Sequence, residues 1–86
     1  MLESAPRAVA VRCTQDEIIV SLSDGRVLSV PIAWFPRLAH AEPHQLSQYE
    51  LLGDGDGIHW PTVDEDVSVA GLLAGRPSAE LRAVQA

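Results

Sequence analysis

The dipeptide Asp24-Gly25 lies between two segments that have the residue pattern of β-strands. Before it, residues 17–22 place apolar side chains at every second position, and after it residues 27–32 are rich in β-branched residues. An Asp-Gly pair tolerates the positive φ angles that two-residue hairpin turns require. We therefore predict an antiparallel β-hairpin over residues 17–32, with Pro31 near its end because proline has no N–H for a strand ladder.

Two further stretches have strand character. Residues 8–13 are apolar with β-branched members and predict a first strand. Residues 49–60 contain two short extended segments around Gly53, Gly55 and Gly57, and they predict a second hairpin. The close spacing of the three glycines indicates a flexible tip or a bulge in that hairpin.

A short helix is expected over residues 36–41. Pro36 suits a first helical turn, where its missing N–H is not needed, and Pro43 stops any continuation. Residues 44–48 fit either a second short helix or a loop.

A later helix is expected over about residues 66–74. Either Asp66 or Ser68 has the side chain to cap its start, and Gly75 suits the position just after its end. Residues 76–86 are weakly helical, and we expect a frayed tail there.

Together these elements predict an α+β fold: a small antiparallel β-sheet built from hairpins, with two short helices on one face. A single domain over residues 8–75 would follow a flexible N-terminus at residues 1–7. The other sheet face would be partly exposed, and pairing with a second copy would cover it, so we expect a homodimer. The predicted core residues are Ile18, Val20, Leu22, Val30, Leu38, Leu72 and Leu73.

The charge of the chain restricts its partners. Twelve acidic and six basic residues give a net charge of −6, which argues against direct binding of nucleic acid or of an anionic membrane. No apolar run approaches the ~18–20 residues of a membrane span, and no signal peptide opens the chain. A single cysteine, Cys13, excludes an internal disulfide, so a reducing cytoplasm is expected.

Acidic residues and histidines suggest a metal site only weakly. Asp54, Asp56 and Glu65 partly match a calcium loop, but Ile58 and His59 occupy the positions that need an oxygen ligand and a glycine. Turn formation and helix capping explain these acids more simply. We therefore expect no metal or cofactor, and the weak alternative metal set is Asp54, Asp56, His59, Asp64 and Asp66.

No catalytic motif stands out either. The chain has no G-x-S-x-G elbow, no P-loop and no G-x-G-x-x-G. Cys13 has no candidate base near it in sequence, and a buried apolar role suits it better. We expect a protein that is not an enzyme and has no catalytic residues.

Aromatic residues are the best candidates for an interaction site. Trp34, Phe35 and Trp60 fit either a small core or a protein-binding surface, and Arg37 lies beside the first two. For Trp60 a core position is favoured over an interface position. For Trp34 and Phe35 the two alternatives are evenly balanced, because two adjacent aromatic side chains are hard to bury together. The candidate interaction residues are therefore Trp34, Phe35, Arg37 and Trp60.

Several short motifs occur in an order that resembles a known family, the bacterial domains of unknown function numbered 2442. They are Ser21-Leu22-Ser23-Asp24-Gly25-Arg26, Val30-Pro31, Trp34-Phe35-Pro36-Arg37-Leu38, Gly57-Ile58-His59-Trp60-Pro61, Asp64-Glu65-Asp66 and Gly71-Leu72-Leu73. The resemblance covers about residues 8–75. It implies a small α+β domain that occurs alone or fused to a helix-turn-helix, often encoded beside other very small proteins, and it brings no established site residues. This sequence has no such helix-turn-helix, so we expect no direct DNA-reading element.

Two functions follow as expectations. The first is a non-enzymatic protein-interaction domain, antitoxin-like or regulatory, whose acidic surface meets a small basic protein. The alternative is a metal or small-ligand sensor that uses His59 and nearby acids, namely Asp54, Asp56, Asp64, Glu65 and Asp66.

Overall fold

Two small antiparallel sheets form the framework of the computed structural model, which describes residues 5–81. The first sheet contains, in spatial order, β1 (Ala8–Cys13), β2 (Glu17–Leu22) and β3 (Val27–Pro31). The second contains β4 (Glu50–Leu52), β5 (Gly57–Trp60) and β6 (Glu65–Ser68). The α+β class predicted from the sequence is confirmed.

Short helices connect and flank the sheets. A single 3₁₀ turn, Ile32–Trp34, leads from β3 into α1 (Pro36–Ala39), α2 (Pro43–Leu46) follows, and α3 (Val69–Leu73) comes after β6. The expected helix over residues 36–41 is thus shorter, and a third helix is present. Pro43 starts α2 rather than only stopping α1, because proline suits a first helical position and the Glu42 N–H is satisfied by Gln45 Oε1 at 2.9 Å.

The first predicted hairpin is confirmed. Strands β2 and β3 pair in antiparallel register from Ser21 opposite Val27 to Glu17 opposite Pro31. Gly25 takes a φ of 94° in the turn, and the Asp24 carboxylate accepts the Arg26 N–H at 3.1 Å. The Leu22 N–H donates to the Arg26 carbonyl, so the loop contains residues 23–25, and only Gly25 has a positive φ. The hairpin is therefore closed by a three-residue loop and not by the two-residue turn that the Asp-Gly pair led us to expect.

The prediction that both hairpins share one sheet is wrong, since the two hairpins belong to separate sheets. The second sheet gains its third strand from β6, in the acidic segment that the sequence assigned to a helix start. Strand β6 pairs with β5 and buries Val67, while Asp66 faces outward. Helix α3 begins only after β6, and Ser68 is its cap, with Oγ accepting the Gly71 N–H at 2.9 Å.

A continuous apolar core lies between the sheets and under the helices. Trp60, Ile18 and Leu38 are among its fully buried side chains. Of the predicted core residues, only Leu73 is wrong, because 40% of its surface is exposed on the outer side of α3. The buried set is Ala8, Ile18, Val20, Leu22, Val30, Ile32, Phe35, Leu38, Ile58, Trp60, Val67, Val69 and Leu72.

The glycine-rich turn of the second sheet packs directly on the start of β1. The Ala8 N–H donates to the Gly55 carbonyl at 2.8 Å, so a backbone bond joins the two sheets. Gly55 has a φ of 103°, and a Cβ there would lie 2.2 Å from the Ala8 carbonyl oxygen. The turn is therefore a packed junction at Gly55, which only glycine can occupy without displacement of β1.

The ends of the chain are described in part. Within the segment predicted as a frayed tail, residues 76–86, the Ser78 N–H donates to the Trp34 carbonyl at 3.0 Å, and residues 82–86 lie outside the described part. Residues 1–4 of the predicted flexible N-terminus also lie outside it. No helix within residues 5–81 has the length and apolar character needed to cross a bilayer.

A pair of glycine variants tests the junction. Gly55→Ala should lower the free energy of unfolding by at least about 3 kcal/mol, because it combines a strained positive φ with a backbone clash. Gly25→Ala has the same φ strain but no atom within 4 Å of the new Cβ, so it should cost only about 1–2 kcal/mol. Urea unfolding followed by tryptophan fluorescence measures both losses, and equal losses would contradict the role of the junction.

Candidate interaction groove

A groove of about 680 Å³ lies along the outer edge of β1 and is closed on its other side by α1 and α2. We call it the β1 groove. Its apolar lining includes Val11, Cys13, Ile32, Leu38, Leu46 and Tyr49. Arg12 is the only formally charged side chain in the lining, so the groove offers a mainly apolar surface.

The backbone of β1 faces this groove at alternate residues. The Thr14 N–H bonds to the Glu17 carbonyl at 2.8 Å, which fixes the phase of the ladder between β1 and β2. In that phase Arg12 bonds inward to β2, whereas Val11 and Cys13 direct their N–H and C=O groups outward. The groove therefore contains a strand edge as well as apolar side chains.

Tyr49 covers part of this edge. Its hydroxyl accepts the Val11 N–H at 3.1 Å, and its ring packs against Trp60 with 6.3 Å between centroids. The Trp60 indole N–H donates to the Leu46 carbonyl at 3.0 Å, which fixes α2 over the second sheet. These contacts hold one wall of the groove in place against the fully buried Trp60.

Cys13 is the one thiol in the chain, and it lines the groove. Partial burial disfavours the thiolate and raises the pKa of the Cys13 thiol to about 11. A thiol with so high a pKa is a poor nucleophile at neutral pH. The expectation of a buried apolar role holds only in part, because the side chain is half-buried rather than enclosed.

The four residues predicted for an interaction site do not form one exposed surface. Trp60 and Phe35 belong to the core, with 0% and 4% of their surface exposed. Trp34 is half-buried, and Arg37 is exposed but has partners within the chain. Arg37 donates to the Asp64 carbonyl at 2.8 Å and forms an ion pair with Glu80 at 3.0 Å.

A second, polar cleft of about 510 Å³ lies beside Arg37, between β6 and residues 76–80. Burial is the main cause that raises the pKa of Glu65 in this cleft, and the nearby Glu80 carboxylate raises it further. The Arg37 guanidinium lowers the same pKa. One oxygen of Glu65 is covered, and it has no hydrogen-bond partner among residues 5–81. Because Arg37 already pairs with Glu80, the cleft is organised around contacts within the chain.

The weak metal alternative is not assembled. Across residues 5–81, no three His, Cys, Asp or Glu side chains are arranged to hold a metal ion. His59 pairs with Asp66 across β5 and β6, with 2.5 Å between Nδ1 and Oδ1. Asp54 lies 3.7 Å from Arg7, and the Asp64 side chain is 90% exposed.

The matched family is described as a protein of unknown function, DUF2442, and its model matches residues 8–78. The chain belongs to this family. The resemblance drawn from the short motifs is therefore confirmed. The matched DUF2442 region includes all six strands and the residues that line the β1 groove.

Two solved structures resemble this DUF2442 chain closely. A crystal structure of a protein of unknown function from Rhodospirillum rubrum is 35% identical, with a TM-score of 0.78, and the match covers 91% of this chain and 96% of that one. The solution structure of the uncharacterized protein CV0863 from Chromobacterium violaceum is 32% identical, with a TM-score of 0.74, covering 92% and 75%. No functionally curated protein matches this chain.

Sequence reasoning missed the groove of this DUF2442 domain because its lining comes from distant segments. Val11 and Cys13 look like ordinary strand residues, and Leu46 lies in a segment left open between helix and loop. Tyr49 gave the clearest signal available, since a tyrosine hydroxyl in a small domain needs a hydrogen-bond partner.

Alkylation of Cys13 provides a test of the groove. The rate with iodoacetamide should be low near neutral pH and should rise steadily from about pH 7 to about pH 10, because only the thiolate reacts. The same chain unfolded in urea is the control, and its rate should level off near the ordinary thiol pKa of about 8.5. Matching profiles for the folded and unfolded chains would contradict the raised pKa.

Proposed function

We propose that this DUF2442 domain is a non-enzymatic protein-interaction module that binds an extended segment of a partner protein in the β1 groove. One observation carries the proposal: the outer edge of β1, which Tyr49 covers only in part, runs along an apolar groove walled by helices. Extended peptides add to such edges through backbone hydrogen bonds, and neighbouring pockets select their side chains.

Charge selects the kind of partner. The net charge of −6 attracts a basic protein and disfavours an acidic one. We therefore propose a small basic partner, for which this domain has an antitoxin-like or regulatory role. Opposite charge would accelerate encounter, whereas apolar contacts in the groove would set the lifetime of the complex.

Groove chemistry supports a role without catalysis. Of the groove lining, only Arg12, Cys13 and Tyr49 are ionisable, and no carboxylate or imidazole lies beside the thiol there. Nucleophilic catalysis needs a base or a lowered thiol pKa, and burial raises the pKa of Cys13 instead. The single thiol also fits the proposed cytoplasmic location.

We also propose that the domain pairs with a second copy of itself to form a homodimer.

A small ligand is the second candidate for the same groove. Its volume of about 680 Å³ lies within the range of roughly 300–1,000 Å³ typical of small-molecule sites. A sensing role would therefore use the apolar groove rather than the acids around His59.

A displayed library of linear peptides tests the proposed function. We expect enrichment of segments that combine apolar residues with Lys or Arg, and we expect a bound peptide to slow Cys13 alkylation. Ala39→Trp places a large ring in the groove from an exposed position of α1, and it should weaken peptide binding by at least about tenfold. Ala70→Trp, on an exposed position of α3 outside the groove, is the matched control.

The double variant Trp34→Ala with Arg37→Ala tests the other predicted surface. If it abolishes peptide binding and Ala39→Trp does not, the partner binds around Trp34 and the groove proposal is wrong. Absence of enriched peptides, or peptides that leave Cys13 alkylation unchanged, would likewise reject the groove.

A further inference from the structure

Strand β3 is the other edge of the first sheet, and no strand covers its outer side in the described part of the chain. We propose that β3 pairs in antiparallel fashion with β3 of a second copy around a two-fold axis at Ser29, joining two first sheets into one six-stranded sheet. The inference rests on the homodimer included in the proposed function and places its interface on the edge opposite the β1 groove.

The phase of the β2–β3 ladder shows which backbone groups of β3 are free. Leu22 donates to the Arg26 carbonyl at 2.8 Å, and Ile32 donates to the Asp16 carbonyl at 2.9 Å, at the two ends of one register. Even-numbered residues of β3 therefore bond inward to β2. The odd-numbered residues direct their backbone groups outward. Val27 and Ser29 each present an N–H and a carbonyl, and Pro31 presents a carbonyl only.

This outer edge is complementary to itself. With Ser29 opposite Ser29 of the second copy, the two serines exchange both of their backbone hydrogen bonds. Val27 then lies opposite the second copy's Pro31, and its N–H reaches the proline carbonyl. Every outward N–H of both strands is satisfied in this register, and the proline, which lacks an N–H, lies at the end of the ladder, where proline is tolerated in strands.

Side chains also favour β3 over the other edges. Its five residues carry no charge, and Val27 is 63% exposed. Natural sheets usually protect open edges with charged side chains, and this edge has none. Self-pairing of β4 or β6 would place carboxylates from both copies, Glu50 or Glu65 with Asp66, within one short interface, where like charges disfavour association.

The outer edge of β1 is less available for self-pairing. The Ala8 N–H bonds to Gly55 and the Val11 N–H bonds to Tyr49, so two donors already have partners. A second copy on β1 would have to displace both contacts, whereas the Val27 and Ser29 N–H groups of β3 have no hydrogen-bond partner among residues 5–81. A second copy is therefore placed on β3, and the β1 groove stays open to a partner protein.

Charge variants at the proposed two-fold axis test this interface. Sedimentation equilibrium of the wild type over a dilution series should show a mass that rises toward twice the 9.3 kDa of one chain. Ser29→Lys should stay at one chain mass, because two ammonium groups would face each other across the axis. Ala10→Lys adds the same charge to the same sheet face at the β1 edge, and it should dimerise like the wild type.

A charge swap makes the test specific to the register. Ser29→Glu alone should also be monomeric, but an equimolar mixture with Ser29→Lys should regain the dimer mass, since residue 29 faces its own copy. Circular dichroism melts of each variant show that the domain remains folded. A wild type that stays monomeric at every concentration, a dimeric Ser29→Lys, loss of the dimer in Ala10→Lys, or a mixture that stays monomeric would each overturn the proposal.

The groove provides an independent readout. Slow alkylation of Cys13 and peptide binding should be the same for Ser29→Lys as for the wild type, because Ser29 lies on the opposite edge of the first sheet. Loss of the dimer with peptide binding intact separates the two proposals. Conversely, a dimer that binds no peptide would reject the groove and leave the β3 interface supported.

Discussion

The structure depends on Trp60, which joins parts of the chain that would be unstable alone. The two three-stranded sheets come from residues 8–31 and 50–68, and each segment is shorter than the roughly 40 residues below which a chain rarely folds alone. The fully buried indole packs from the second sheet against Tyr49 and bonds to the Leu46 carbonyl of α2. Tyr49 in turn bonds to Val11 at the edge of the first sheet. One side chain thus organises both sheets and one wall of the groove.

Local features of the sequence predicted local structure well. The Asp24-Gly25 pair predicted the first hairpin because glycine at residue 25 readily takes the positive φ that the loop requires. The division into two sheets could not be predicted, since it depends on how hairpins pack and not on how each one turns. Strand β6 was missed for a related reason: its acidic residues resemble a helix start, and only pairing with β5 reveals that Val67 is buried between outward-facing residues.

The candidate site was predictable to a smaller extent than the fold. A sequence shows which residues can bind a partner, but burial in the fold decides which of them remain available. Phe35 and Trp60 are buried in the core and are therefore not available. A domain of 86 residues needs most of its aromatic side chains for stability, so the proposed recognition surface uses the β1 edge and mainly aliphatic side chains instead. The two edges of the first sheet differ accordingly: Tyr49 covers part of the β1 edge, whereas no strand of the described residues pairs with the outer side of β3.

The bond between Tyr49 and Val11 has a consequence for selectivity. The phenolic oxygen occupies the position that a carbonyl oxygen of an added strand would take, so it acts as a built-in substitute for a ligand. In the proposed complex, a segment that pairs with β1 at Val11 must replace this oxygen with one of its own carbonyl oxygens. An apolar molecule that displaced Tyr49 without supplying an acceptor would leave the part-buried Val11 N–H unsatisfied, so it would bind more weakly than a segment that supplies one.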